Sequence, residues 1–197
     1  FTGISLGAVT FTAATQLSKA KWHGPLRRIA EGFIFFLPVS YLLYWAVILG
    51  RGHIFPWIGS HEPLVVAKHA YLNEPFLMLR GGGGLLVLYL MGWALVKTSL
   101  RPDLAHIKDR LTGFRRTLAD RITAGWQGDE AEAEMMKHKR SRLAPQFVLL
   151  YALVVTFFAF DMVMSLLPTW FSTLFGAYYF MGGWLSGLAA IGIATVI

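Results

Sequence analysis

Apolar residues dominate five stretches of the chain, and a helix of about 20 such residues is long enough to cross a lipid bilayer. The stretches cover residues 1–18, 25–50, 75–97, 145–167 and 169–197. None shows the alternation of apolar and polar residues that a membrane β-barrel strand needs, and a spanning helix satisfies its own backbone hydrogen bonds. The pattern predicts an all-α fold, a polytopic transmembrane helix bundle with about five spans. Because residue 1 is Phe and residue 197 still lies in an apolar stretch, we expect a longer protein to continue on each side.

Positive charges are concentrated around two of the connections between these stretches. Four Lys and Arg residues lie around the first connection and eleven around the third, together 15 of the 18 in the chain. Alternating spans place these two connections on the same side of the membrane, which the positive-inside rule makes cytoplasmic. Residues 51–74 and the turn at Pro168 are then periplasmic. Topology and anionic lipid explain the net charge of +7, so we expect no nucleic-acid partner.

The long cytoplasmic connection has an apolar pattern of its own. Five apolar residues recur there every three or four positions: Leu104, Ile107, Leu111, Phe114 and Leu118. This spacing predicts an amphipathic helix on the membrane surface or against a partner subunit, and the alternative is a solvated loop. The chain thus divides into spans one to three in residues 1–100, this loop in residues 101–143, and spans four and five in residues 144–197.

Composition narrows the chemistry that these spans can hold. Hydrophobic residues make up 55% of the chain and charged residues only 15%, which is typical of a membrane protein rather than a soluble domain. The chain has no Cys, which excludes disulfides and cysteine-ligated iron–sulfur clusters within it. All six histidines lie in loops or at span ends: His23, His53, His61, His69, His106 and His138. We therefore expect no haem ligation within the spans and no metal site.

Asp161 is a lone carboxylate in the apolar stretch of residues 147–167. A charge near the centre of a span costs roughly 2.5–3.5 kcal/mol on insertion scales, so such a residue usually faces protein or water and serves a function. One interpretation is proton transfer, with Ser165 one turn further on as a hydrogen-bond partner or relay. The other is structural: Asp161 caps the next helix or pairs with a basic residue of a neighbouring span.

Glu31 is the only other acid clearly within a span. Arg27 and Arg28 precede it by four and three residues, a spacing at which a helix brings opposite charges together. Local neutralisation is therefore one interpretation. The alternative is that Glu31 lies at the cytoplasmic mouth of a proton path. Three hydroxyls further along the same span would extend that path: Ser40, Tyr41 and Tyr44.

Polar residues gather where the third span begins. Glu74 and Arg80 follow His69 there and form a candidate periplasmic rim, where a quinone head group or a peripheral protein could bind. Ordinary surface residues are the alternative. The four glycines at residues 81–84 permit a very close helix approach or a broken helix that lines a cavity. Gly183 and Gly187 give the fifth span a small-residue packing face.

Two segments carry longer motifs. Residues 70–80 read A-Y-L-N-E-P-F-L-M-L-R, and residues 161–176 read D-M-V-M-S-L-L-P-T-W-F-S-T-L-F-G. They resemble the Y-L-N-x-P-F-x-x-x-R and D-W-x-M-S-L-x-P-x-W-F-S-T-x-F-G motifs of alternative complex III, the bacterial quinol:cytochrome c oxidoreductase. The match is to the second of its two related polytopic membrane subunits. Met162 stands where the family usually has Trp, and Leu167 where it usually has an acid.

The resemblance implies a helix-bundle subunit of about ten spans in the bacterial cytoplasmic membrane, related to the membrane subunit of polysulfide reductase. It implies three partners: a sister polytopic subunit with the quinol site, a multihaem cytochrome c subunit and an iron–sulfur subunit. Haem and iron–sulfur clusters would belong to those partners, with quinone or menaquinone nearby and no cofactor or catalytic residue on this chain. The subunit would supply scaffold and a candidate proton path.

Two functions from other classes fit the same residues. A secondary transporter would also use an intramembrane acid and a glycine-broken span. A purely structural assembly subunit would need neither quinone contact nor proton movement.

Overall fold

The computed structural model describes residues 1–20, 22 and 24–196. Lys21 and His23 in the first connection, and Ile197 at the predicted end of the fifth span, lie outside the described residues. All the regular structure in the described part is helical, which confirms the predicted all-α fold.

The described residues form ten α-helices in chain order. They are α1 (Thr2–Leu17), α2 (Gly24–Gly32), α3 (Leu37–Leu49), α4 (Arg51–Ile54), α5 (Pro63–Ala67), α6 (Glu74–Met78), α7 (Gly84–Ile107), α8 (Gly113–Thr123), α9 (Asp129–Met162) and α10 (Phe175–Val196). Short 3₁₀ segments join α2 to α3 and follow α7 and α9: Phe33–Phe36, Lys108–Arg110 and Met164–Leu166. A π-helical segment, Leu79–Gly83, joins α6 to α7.

Within the described residues, four continuous helical segments are long and apolar enough to cross a membrane: Gly24–Leu49, Glu74–Arg110, Asp129–Leu166 and Phe175–Val196. The chain is therefore a membrane protein. The first predicted span corresponds to α1, an apolar helix of 16 residues that packs inside the same bundle. The five predicted spans thus correspond to four helices of spanning length and this shorter one.

Two helices extend further than their apolar stretches. The third stretch was predicted to end at Lys97, but its helix continues to Arg110. The fourth was predicted to begin at Pro145, but α9 begins at Asp129 and Pro145 lies inside it. Acidic residues in the first turn of α9 favour that start, because the N-terminus of a helix carries partial positive charge. Much of the predicted loop is therefore a helical continuation of two spans.

The predicted amphipathic helix over residues 104–118 is wrong. Helix α7 ends at Ile107, and the backbone at Leu111 is extended, with φ −89° and ψ 149°. A new helix, α8, then begins at Gly113, whose φ of +60° favours glycine. Phe114 is 81% exposed, and α8 packs through another face, which holds Ala119 and Ile122. The regular spacing of apolar residues therefore crosses a break between two helices.

Helix α9 lies at the centre of the bundle and packs against α1, α7 and α10. Its inward side chains include Phe147 and Tyr151, which are almost completely buried in the main apolar core. Helices α7 and α9 run antiparallel. We call the end of the bundle that holds Arg28 and Arg101 the basic end, and the opposite end, which holds Arg80, the far end.

Helices α1 and α10 meet through small residues. Gly187 faces Gly7 and Ala8 so closely that a Cβ atom at position 187 would overlap their backbone atoms. One turn earlier, a Cβ atom at Gly7 would overlap the Gly183 backbone, and one at Gly183 would lie 3.4 Å from Gly3. The predicted packing role of Gly183 and Gly187 is therefore confirmed, since only a residue without a side chain lets these two backbones approach so closely.

We predict that Gly187→Ala destabilises the protein, because the added methyl group must push α10 away from α1. Overpacking of this kind costs about 1–3 kcal/mol. The measurement is the midpoint of thermal unfolding in detergent, followed by tryptophan fluorescence. The matched control is Gly182→Ala on the same helix, where a Cβ atom would meet no atom within 4 Å. Equal midpoints for the two variants would contradict the close crossing of α1 and α10.

Candidate functional site

Arg80 and Asp161 form a buried ion pair at the far end of the bundle. Arg80 Nε donates to Asp161 Oδ2 at 2.7 Å, and Arg80 Nη2 donates to Oδ1. The Asp161 side chain is 1% exposed and that of Arg80 is 11% exposed. The structure therefore agrees with the structural interpretation of Asp161, in which its carboxylate pairs with a basic residue of a neighbouring span. Arg80 was predicted to lie at a polar rim, but its side chain points into the bundle. It neutralises Asp161 there, because a buried carboxylate without a cation would be strongly unfavourable.

The residues before Arg80 explain how it is positioned. Asn73 caps α6, since its Oδ1 accepts a hydrogen bond from the Phe76 N–H at 2.9 Å. Pro75 lies in the first turn, where its missing N–H costs nothing. The guanidinium carbon of Arg80 lies over two aromatic rings, 3.8 Å from the centroid of Tyr71 and 4.4 Å from that of Phe76. These cation–π contacts and the capped helix hold the guanidinium against Asp161.

The glycines after Arg80 bring α3 close to the same site. A Cβ atom at Gly81 would overlap the Tyr44 ring and hydroxyl, and one at Gly82 would lie 2.9 Å from the Trp45 ring. The helix widens to a π turn across this segment but remains continuous into α7. The glycines at residues 81–84 therefore allow a close approach of two helices, as one interpretation expected, and they do not break the helix.

Ser165 does form a hydrogen bond with Asp161, as one interpretation expected, but not with its carboxylate. Ser165 Oγ instead donates to the backbone carbonyl of Asp161, four residues earlier, which is a common bond for a serine at a helix end. Tyr44 donates to the Leu77 carbonyl at 3.3 Å, and Tyr41 packs edge-on against the Tyr89 ring at 5.9 Å. A role for these three residues in proton transfer stays a prediction.

Two buried polar atoms beside the ion pair have no hydrogen-bond partner among the described residues. They are Arg80 Nη1 and the Tyr71 hydroxyl, which lies near Asp161 but outside hydrogen-bond geometry. Burial raises the pKa of Tyr71 above its ordinary value, and the negative charge of Asp161 raises it further. The phenol therefore keeps its proton at neutral pH. Arg80 Nη1 and the Tyr71 hydroxyl can therefore each donate a hydrogen bond to a further acceptor beside the ion pair.

A chain of three hydroxyls crosses the bundle inward of the ion pair. Thr2 Oγ1 lies 2.9 Å from Ser40 Oγ, which lies 2.6 Å from the Tyr89 hydroxyl. The chain joins α1, α3 and α7 and borders a cavity of about 300 Å³, which Tyr44 also lines. Sequence reasoning identified Ser40 but missed Thr2 and Tyr89, because no spacing in the sequence links a hydroxyl on α1 or α7 to Ser40 on α3.

Glu31 lies at the basic end and is neutralised locally. Arg28 Nη1 donates to its Oε2 at 2.6 Å, and Arg27 Nε lies 3.6 Å from its Oε1. Arg28 also contacts Ser99 and Asp103 on α7. Among the described side chains, no hydrogen-bonded route connects Glu31 with the hydroxyl chain at the far end. Its assignment to the mouth of a proton path therefore stays a prediction without a structural connection.

A second buried ion pair lies at the basic end, and sequence reasoning missed it. Arg101 Nε and Nη2 donate to the two carboxylate oxygens of Glu132 at 2.9 and 2.8 Å, and Glu132 is completely buried. The sequence analysis placed Glu132 in the cytoplasmic loop of residues 101–143 and gave it no partner. The signal that could have found it is Met136, an apolar residue four positions later, because this spacing puts Glu132 on the same face of a helix as Met136.

The three candidates for a quinone-binding rim do not form one site. Glu74 accepts a hydrogen bond from Arg51 Nε at 2.6 Å, and His69 is exposed. Both residues line an open groove of about 660 Å³ that Trp57 also borders. Arg80 does not line this groove, because its side chain turns inward to Asp161. Binding of a quinone there stays a prediction for His69 and Glu74 only.

Comparison with family models and with curated proteins finds no match to this chain.

We predict strong energetic coupling between Arg80 and Asp161. Removing one partner, by Arg80→Gln or Asp161→Asn, leaves a buried polar group or charge unpaired and should cost about 3–5 kcal/mol. The double variant should cost clearly less than the sum of the two single variants. The measurement is a double-mutant cycle on the unfolding free energy of the purified protein in detergent.

The control for this cycle is Arg51→Gln with Glu74→Gln. That pair has a similar contact distance, but its side chains are 34% and 39% exposed, so we expect about 0–1 kcal/mol. Equal coupling energies for the buried and the exposed pair would contradict the burial of Asp161.

Proposed function

We propose that this chain is an integral membrane subunit of a bacterial quinol:cytochrome c oxidoreductase of the alternative complex III kind. In this proposal it provides scaffold, and its Arg80–Asp161 site is the far end of a proton route that opens toward the periplasm. One observation supports this most: the two segments that resemble the family meet at a single ion pair. Arg80 and Asp161 lie 81 residues apart in sequence, and both of them, like Tyr71, are motif residues. Lys68 also donates to the Pro168 carbonyl at 2.7 Å beside them.

The geometry around Asp161 suits a carboxylate that gains and loses a proton. Arginine keeps its charge at any physiological pH, so only Asp161 can change charge within the pair. When Asp161 is protonated the ion pair weakens, but the stacking on Tyr71 and Phe76 still holds Arg80 in place. The unpartnered Arg80 Nη1 and Tyr71 hydroxyl are groups that ordered water normally satisfies. Water bound there would join the carboxylate to the far-end surface.

In this proposal the chain holds only the far-end half of the proton route. Inward of Asp161 it would use Tyr44 and the hydroxyl chain that ends at Tyr89. The next hydroxyl along α7 is Thr98, nine residues further on and so roughly 14 Å away. The remaining distance to the basic end would then be provided by the sister polytopic subunit. The haem, the iron–sulfur clusters and the quinol site would also belong to the partner subunits.

A purely structural assembly subunit is the second candidate. The bidentate contact between Arg80 and Asp161 favours it, because such a pair fixes the register of two spans whether or not a proton ever moves. A secondary transporter is less well supported, because the helix after Arg80 continues without the interruption that such a binding site uses.

The experiment compares Asp161→Asn with Glu132→Gln in the purified, assembled complex. Quinol:cytochrome c turnover is measured in solution, and proton release is measured after reconstitution into liposomes. Both variants neutralise a buried carboxylate that is bound bidentately by an arginine on α7 or just before it, so they are closely matched in their effect on packing. Only Asp161 belongs to a motif segment. We expect Asp161→Asn to lower turnover or proton release by roughly tenfold or more, and Glu132→Gln to leave both near normal.

An assembled Asp161→Asn complex with normal turnover and normal proton release would exclude the proton route and leave the structural role. Equal losses in the two variants would also contradict the proposal, since the loss would then follow from a broken ion pair in general. If Asp161→Asn prevents assembly, Asp161→Glu tests the same point, because it keeps an ionisable group and should restore both activities.

A further inference from the structure

A small cavity lies between α7 and α9 at the basic end of the bundle. Its volume is about 210 Å³, and both helices contribute to its wall. The residues that matter here are Ala94, Lys97 and Arg101 from α7, and Met136, Lys139 and Leu143 from α9. The cavity is far from the Arg80–Asp161 site and belongs to neither of the motif segments.

The order of the lining residues follows from the antiparallel helices. Ala94 and Leu143 lie nearest the centre of the membrane-spanning part, and Lys97 and Lys139 come one turn further out. The apolar stretch of α7 ends at Lys97, and that of α9 begins at Pro145, two residues after Leu143. The cavity therefore has basic groups at the level where lipid tails give way to head groups, and apolar groups on the membrane side of them.

The charges in the cavity are not balanced by the protein. Arg101 is held by Glu132 and by the Ile122 and Ala124 carbonyls. Lys97 and Lys139 have no ion pair or hydrogen bond to any other residue in the part of the chain that the structure describes. Two positive charges thus remain beside an apolar wall. Solvent can reach both of them, since Lys97 is partly exposed and Lys139 is exposed.

We propose that this cavity binds one anionic phospholipid. Lys97 and Lys139 would contact its phosphate, and an acyl chain would run past Ala94 and Leu143 toward the membrane centre. Basic pockets between transmembrane helices are suited to such head groups, because the phosphate is attracted by the lysines while the chain stays in an apolar environment. The apolar side of the cavity favours a lipid over a free phosphate ion, which would gain nothing from Ala94 or Leu143.

The experiment uses the full-length protein in its native complex, purified in detergent and stripped of lipid. Phosphatidylglycerol is titrated and its binding is followed by native mass spectrometry. Phosphatidylcholine and inorganic phosphate are titrated in separate samples. The test variant is Lys97→Gln with Lys139→Gln. The matched control is Arg115→Gln with Arg116→Gln, which removes the same charge from exposed positions on α8.

We expect the lysine variant to bind phosphatidylglycerol roughly thirtyfold more weakly, since each basic residue near an anionic surface contributes roughly fivefold. The control should bind it as the unaltered protein does, and Lys97→Arg with Lys139→Arg should retain binding because it keeps both charges. Equal loss in the α8 control would overturn the proposal by showing a general charge effect. Equally tight binding of phosphatidylcholine, or displacement of phosphatidylglycerol by millimolar phosphate, would overturn it as well.

Discussion

An ionised carboxylate in the interior of an apolar helix bundle needs a cation in contact with it, because water cannot stabilise its charge there. Asp161 obtains that cation from Arg80, and the arrangement of α7 against α9 depends on the contact. Glu132 in the first turn of α9 binds Arg101 in the same bidentate way. Two buried ion pairs, one near each end of α9, therefore fix how α7 lies beside it.

The far-end pair has features that stability alone does not explain. Replacing a buried ion pair with well-packed apolar residues is often neutral or stabilising, so the pair itself is a weak source of stability. Around it the chain departs from ordinary helix structure, with four successive glycines, a π turn and two buried donors that have no partner among the described residues. Departures of this kind are expected at functional or strained sites. A carboxylate with one fixed cation beside it can both hold the register of α7 against α9 and take part in proton transfer.

The sequence predicted those features that depend on local composition or short spacing. The spans followed from apolar length, the glycine contacts of α10 from spacing along one helix, and the neutralisation of Glu31 from arginines one turn away. Features that depend on distant residues were not predictable in the same way. A basic partner for Asp161 was one interpretation, but nothing in the sequence identified Arg80, and the Glu132–Arg101 pair was missed. The amphipathic helix was wrong because a regular apolar spacing does not reveal that the backbone turns at Gly113.

The most direct test of this account is the register between α7 and α9, since that register places Arg80 opposite Asp161. The chain contains no Cys, so a pair of introduced cysteines can be examined alone. A Cβ atom at Gly84 would lie 3.9 Å from Val154 Cβ, which is a suitable separation for a disulfide. Gly84→Cys with Val154→Cys should therefore cross-link on mild oxidation in the membrane, as detected by mass spectrometry. Gly84→Cys with Leu153→Cys should not, because Leu153 is 54% exposed on another face. Cross-linking of the second pair and not the first would contradict the register, and with it the contact between Arg80 and Asp161.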